Sequence, residues 1–271
     1  FLSSIVAVKP DTGEYVWDLQ TTPGDNWDYT ATQSIILADL PVGEGGASKR
    51  VVMQAPKNGF FYVLDAADGG LISATPFTQQ NWTTGELDEN GRPVLIQDAV
   101  DMALTVVIPG PTGAHNWHPM AFNPDTGLVY IPVNEIPFFY DKTRNVEDSK
   151  SFWNIGYDAA AGWPVEYPAG TLDAVADMDG GSLLAWDPVK AEPRWAVPFA
   201  LPLNGGVLST DAGLVFQGNK FGDLVAYDAE TGERLWSEQL VGNAAAAPMT
   251  YEIDGEQYLS VLSGWGSVSN L

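Results

Sequence analysis

An all-β fold of repeated strand–turn–strand units is what this 271-residue sequence predicts, and three observations predict it. A segment recurs along the chain: residues 7–17 read AVKPDTGEYVW, 185–195 read AWDPVKAEPRW and 226–236 read AYDAETGERLW. Short runs such as RVVMQAP, FFYVLDA, GLVYIPV, SLLAWDP and GLVFQGN are rich in Val, Tyr, Phe and Leu, the residues that fit a half-buried pleated surface. They are punctuated by DTG, DGG, NGG and ETGE turns, consistent with 28 Gly and 19 Pro. No stretch carries a capped 3.6-residue period. Periods near 40 residues mark stacked supersecondary units, and strand units at that spacing make the four-stranded blades of a propeller.

Each element has a local reason. Every copy of the repeat starts with Ala, carries turn chemistry in the middle and ends on Trp ten residues later: Trp17, Trp195 and Trp236. A Trp at the end of a blade can lay its flat face on the next blade and donate its N–H to a backbone carbonyl there. A degenerate copy, VLDAADGGLIS at 63–73, has Ser73 in the Trp position. Roughly five to six blade equivalents fit the chain at this period. Residues 74–104 and 134–180 break it; rich in Pro, Asn, Asp and aromatics, they read as long excursions from one face, where a propeller builds its site.

Composition excludes several classes. The formal net charge of −23 repels phosphate backbones and anionic lipid, which argues against nucleic-acid or membrane-surface binding. Cysteine is absent, so this chain holds no disulfide, thiolate zinc site or c-type haem attachment. No run of about 18 apolar residues reads as a membrane span. The opening FLSSIVAVKPDTG lacks a basic n-region and does not read as a signal peptide.

The repeated A-x-D-x-x-T-G-x-x-x-W segments resemble the tryptophan-docking motifs of the quinoprotein alcohol dehydrogenases. Four further stretches resemble the methanol/ethanol branch of that family: PGDNWDYTATQ (23–33), APKNGFFYVLDAADG (55–69), NWTTGELDENGRPV (81–94) and GAHNWHPMAFNPDTGLVYIP (113–132). The similarity runs through nearly the whole chain in family order. It implies an eight-bladed propeller around pyrroloquinoline quinone and a divalent metal, with about half or more of the blades here. The expectation is a single domain over 1–271, the middle-to-end part of a propeller in a parent about twice this length. The family's adjacent cysteine pair, cofactor Arg and metal-binding Glu and Asn belong to its N-terminal blades, and its C-x-x-C-H haem domain has no counterpart in this sequence.

The resemblance also implies roles. Oxidising an alcohol needs a base for the hydroxyl proton and an acceptor for hydride. The W-D-Y match places Asp28 on the family's catalytic base, which also approaches the metal; read without the resemblance, GDNWDYT is an Asx turn or cap. Lys57 in P-K-N-G matches the cation that hydrogen-bonds the quinone oxygens, against the alternative of a solvated turn Lys. Asn116 and Trp117 in A-H-N-W-H-P match the cofactor edge and pocket wall. Trp265 matches a cofactor-side segment of the last blade. Trp27 is expected to pack beneath Asp28 or shape the substrate pocket. His115 and His118, the chain's only histidines, are spaced to bind zinc on a helix, but a Pro follows and no third ligand is indicated. They are expected to orient the Asn116–Trp117 pair. Thr30 stands where lanthanide-dependent relatives carry a second Asp, so calcium is the expected metal.

The function implied is oxidation of primary alcohols to aldehydes with pyrroloquinoline quinone and calcium, in the periplasm, with a cytochrome c as electron acceptor. Two rival readings stand beside it, and neither needs the W-D-Y and H-N-W motifs. A propeller can be a non-catalytic protein-binding scaffold in the cell envelope, or a glycoside hydrolase built on paired carboxylates; quinone binding separates the first from the dehydrogenase.

Overall fold

The computed structural model describes residues 2–100, 106–139 and 178–264. A two-stranded piece comes first, β1 (Ser4–Val8) with β2 (Tyr15–Gln20). The first complete blade follows as an antiparallel meander: β3 (Ile36–Leu40), β4 (Lys49–Gln54), β5 (Phe60–Asp65) and β6 (Leu71–Pro76). Residues 74–76, expected to start an excursion, therefore belong to its last strand. The excursion itself contains a hairpin, β7 (Thr83–Leu87) with β8 (Pro93–Leu95), one short helix α1 (Gln97–Val100), and β9 (Val106–Val107). The second blade is β10 (Ala121–Asn123), β11 (Leu128–Asn134), β13 (Gly181–Asp187) and β14 (Glu192–Phe199), with β12 (Phe138–Phe139) leaving it to pair with β9. Most of the expected 134–180 excursion lies outside the described residues. The third blade is β15 (Val207–Ser209), β16 (Leu214–Gly218), β17 (Asp223–Asp228) and β18 (Arg234–Gln239). A final hairpin joins β19 (Met249–Ile253) to β20 (Glu256–Ser260).

The core lies between sheets rather than within them. One buried cluster fills the gap between β1–β2 and the first blade, a second the gap between first and second blades, and a third that between second and third. Two gaps are closed by the docking tryptophans. Trp17 donates Nε1–H to Ala66 O at 3.3 Å and lies on Gly69; Trp195 donates to Ala229 O at 3.1 Å and lies on Gly232. Both glycines are left-handed, at φ +74° and +75°, and a Cβ on either would sit under 3 Å from the indole. Among the described residues Trp236, in the same register, has no such acceptor turn and is 46% exposed.

The middle gap explains Ser73. It occupies the docking position, opposite Val63 as Trp195 is opposite Ala185. The corresponding turn of the second blade carries Ala191, at φ +55°, in place of glycine. The Cβ of Ala191 stands where an indole would lie, and the smaller Ser73 goes with it. Trp186 and Phe61, with ring centroids 5.9 Å apart, fill this gap instead.

In a meander the connections alternate between two ends of the sheet. The turns 40–49, 65–71 and 187–192 are at one end. The connections 20–36, 54–60 and 107–121 gather at the other, which brings Asp28, Lys57 and Asn116 together.

Candidate functional site

Asp28 sits in the connection from β2 to β3 with left-handed backbone, φ +64°. Short polar side chains tolerate that region better than most. Its neighbours Trp27 and Tyr29 are buried, whereas its own carboxylate is 63% exposed. Trp27 does pack beneath this loop, with ring centroids 5.6 Å from Tyr29 and 5.9 Å from Trp82. The Tyr29 hydroxyl donates to the Pro109 carbonyl and so ties the loop to the connection that carries Asn116. GDNWDYT does form an Asx turn, but Asp25 makes it. Asp25 Oδ1 accepts the N–H of Trp27 at 2.9 Å and of Tyr29 at 3.2 Å, and Oδ2 accepts the Ser3 hydroxyl at 2.6 Å. Asp28 is thereby left free for other contacts.

Lys57 lies in the turn between β4 and β5 and is not solvated: it is 8% exposed, and its Nζ donates to Asp28 Oδ2 at 2.9 Å. Asn58 fixes that turn, accepting Phe60 N–H at 3.0 Å and donating to Thr21 O at 2.9 Å. The stem of Lys57 runs against Gly113, where a Cβ would come within 2.4 Å of Lys57 Cγ. The Lys57 carbonyl accepts Ala114 N–H at 2.9 Å, which holds the third loop against the lysine.

That loop carries Asn116 and Trp117. Asn116 turns back on its own segment, donating Nδ2–H to Thr112 O at 2.7 Å and accepting Trp117 N–H at 2.8 Å. One N–H and one lone pair of the amide remain for a ligand. Trp117 is 47% exposed and stacks on His118, centroids 4.0 Å apart and planes at 22°. Burial, then the neighbouring His115, pushes the His118 imidazole down to about 4. His115 is fully buried and spans two loops: Nδ1 is 2.7 Å from Ala55 O, and Nε2 is 2.7 Å from His118 O. Both its nitrogens are engaged by backbone, and burial lowers its pKa against the pull of those two carbonyls. Gln33 adds a further tie, Nε2 to His115 O at 3.2 Å.

The structure thus brings Asp28, Lys57, Asn116 and Trp117 onto one end of neighbouring blades; Trp265 lies outside the described residues. Sequence reasoning missed Asp25, Gly113 and the bridging geometry of His115. Nothing in the spacing of these residues points to contacts that exist only between loops.

The arrangement suits a planar anionic ligand. Trp117 offers a flat wall, Asn116 a donor at the edge, and Lys57 a cation in a site of low exposure. For a metal, Asp28 offers one carboxylate. Calcium takes six to eight oxygens, and no group of three or more His, Cys, Asp or Glu gathers among the described residues. Asp28 can supply one carboxylate to such a site, alongside the backbone, amide and water oxygens that calcium also accepts.

Residues 1–79 and 177–259 match a family model described as glucose/ethanol/alcohol dehydrogenase, beta-propeller domain, with the label PQQ. The chain is 48% identical over 273 residues to quinohemoprotein alcohol dehydrogenase ADH-IIG of Pseudomonas putida, covering 98% of this chain and 37% of that protein. It is 42% identical over 278 residues to a 1-butanol dehydrogenase (cytochrome c) of Thauera butanivorans, covering 99% of this chain and 38% of that one. A solved structure of the Pseudomonas putida ADHIIG enzyme superposes with a TM-score of 0.84 at 46% identity, over 98% of this chain and 39% of that chain. The chain therefore spans little more than a third of the relatives it matches, which are longer than the doubled length expected. Matched across its described blades in both sequence and structure, the chain belongs to the pyrroloquinoline-quinone-dependent alcohol dehydrogenase family of β-propellers.

Proposed function

We propose that this chain forms part of a periplasmic enzyme that oxidises primary alcohols to aldehydes with pyrroloquinoline quinone and calcium, and passes the electrons to a cytochrome c. The observation that carries this reading is the pairing of an exposed carboxylate, Asp28, with a buried ammonium, Lys57, at 2.9 Å, on the same end of the blades as the loop that carries the half-exposed Trp117. The names of the relatives, one of them a cytochrome c-linked butanol dehydrogenase, support the substrate class and the acceptor.

When bound, the quinone supplies a two-electron acceptor and the calcium ion a Lewis acid. The protein's residues do the rest. Trp117 would offer a flat wall to a planar ring system, and the spare N–H of Asn116 would be a donor for its edge. Lys57 would hold the quinone oxygens by its cation and stabilise negative charge on them. Asp28 has one carboxylate oxygen on Lys57 and the other free, and that free oxygen takes the hydroxyl proton of the alcohol. Thr30, with a neutral oxygen two residues on, favours calcium over a trivalent ion. In the full-length quinone-loaded enzyme, Asp28→Asn keeps a side chain that tolerates the left-handed backbone and is expected to lower kcat by roughly a hundredfold or more. Turnover within a few-fold of the parent would remove Asp28 from the base role.

A further inference from the structure

Asp25 is the residue that the mechanism does not use and the geometry singles out. Its carboxylate receives three donors: Trp27 N–H at 2.9 Å, Tyr29 N–H at 3.2 Å and Ser3 Oγ–H at 2.6 Å. The first two flank Asp28 in the chain. Pinning the N–H before and the N–H after Asp28 to one oxygen curls the backbone between them, and Asp28 is the residue that takes the left-handed conformation, φ +64°. The left-handed region costs a non-glycine residue free energy, less for Asp than for most, and the two hydrogen bonds to Asp25 hold Asp28 there. The curl keeps Trp27 and Tyr29 both pointing into the aromatic cluster and turns the Asp28 carboxylate outward, within 2.9 Å of Lys57 Nζ. The third donor anchors the device. Ser3 accepts Thr21 N–H at 2.8 Å and the Thr21 hydroxyl at 2.7 Å on its own carbonyl, so Asp25 is held to the start of β1 and the end of β2.

We infer that Asp25 is a positioning residue: through its two backbone hydrogen bonds it sets the conformation from which Asp28 reaches Lys57 and the substrate. This rests on the reading of Asp28 as base. It makes a prediction that a purely electrostatic role for a second carboxylate does not. Asparagine keeps an oxygen at the same distance and loses the charge. Glutamate keeps the charge and moves the oxygens outward by one methylene.

The test compares Asp25→Asn, Asp25→Glu and Asp25→Ala in the full-length enzyme, with kcat and KM expressed per quinone-loaded site. A second readout needs no turnover: the rate at which acetic anhydride acylates Lys57, followed by mass spectrometry, with Asp28→Ala marking the unpaired lysine. Asp25→Asn is expected to keep kcat within about threefold and to leave Lys57 acylation at the parent rate. Asp25→Glu and Asp25→Ala are expected to lose kcat by about thirtyfold, with KM changed less, and to raise acylation toward the Asp28→Ala rate. Where the alanine variant fails to fold, the Asn and Glu pair decides. Full activity in the Glu variant with loss in the Asn variant overturns the proposal in favour of a charge effect, and parent-like values in all folded variants overturn it outright. If acylation follows the expected order while Asp28→Asn keeps its turnover, the positioning of Asp28 stands and its role as base falls.

Discussion

Trp195 lies flat against Gly232 of the next blade, so close that a Cβ on the glycine would be 2.7 Å from indole Cε3. The indole N–H is spent on Ala229 O, three residues before that glycine, at 3.1 Å. One side chain therefore supplies both the apolar filling and the polar tie of the gap. Gly232→Ala is expected to cost about 3 kcal/mol, about 1 from the left-handed φ and the rest from the displaced indole. Gly13→Ala is the control, because Gly13 is left-handed at +71° with nothing within 4 Å of a Cβ. It is expected to cost only about 1 kcal/mol. Equal losses of Tm in the two variants would show that the contact adds nothing.

The middle gap yields a coupled pair. Ser73→Trp alone is expected to destabilise, because the indole meets Ala191 Cβ. Adding Ala191→Gly rebuilds the acceptor turn and recovers at least the loss. A double-mutant cycle in urea reads this as a favourable coupling of about 1–2 kcal/mol. Additive effects would mean that the two positions do not face each other.

Gly113 shapes the site through its contact with the stem of Lys57. Gly113→Ala places a methyl 2.4 Å from Lys57 Cγ at a backbone of φ +76°. Lys57 must move, and the full-length enzyme is expected to lose about tenfold or more in kcat/KM, because small displacements of a positioned group are costly. Retained activity would show that the Lys57 position is not critical.

Acid stability follows from His118. Its folded pKa of about 4 lies below the ordinary 6.5, so between those values the unfolded chain binds the proton and the folded one does not. The contribution of the neutral imidazole is fully present above pH 6.5 and is lost as pH falls toward 4. The loss attributable to this group is about 3 kcal/mol at most. His118→Phe keeps a ring under Trp117 and is expected to flatten the fall in Tm across that window. His115, also shifted downward, leaves a residual slope. An unchanged slope in the variant would exclude His118 as a source.

What the sequence determined by itself was the repeat and the fold that it builds. The ten-residue spacing from Ala to Trp is local, since it counts the end of one strand, one turn and the first half of the next strand, and it placed Trp17 and Trp195 on their neighbours. Asp28 and Lys57 were legible because W-D-Y and P-K-N-G are contiguous motifs. The tertiary structure alone decided the contacts between loops. Asp25, not Asp28, closes the Asx turn, and Ser3, 22 residues away, ties its other carboxylate oxygen to the start of β1. Gly113 presses on Lys57 across 56 positions of sequence, and His115 reaches Ala55 across 60. Hydrogen bonds and steric contacts act over a few ångströms in space with no regard to chain separation. A single sequence records the residues that make such contacts and not the pairs they form.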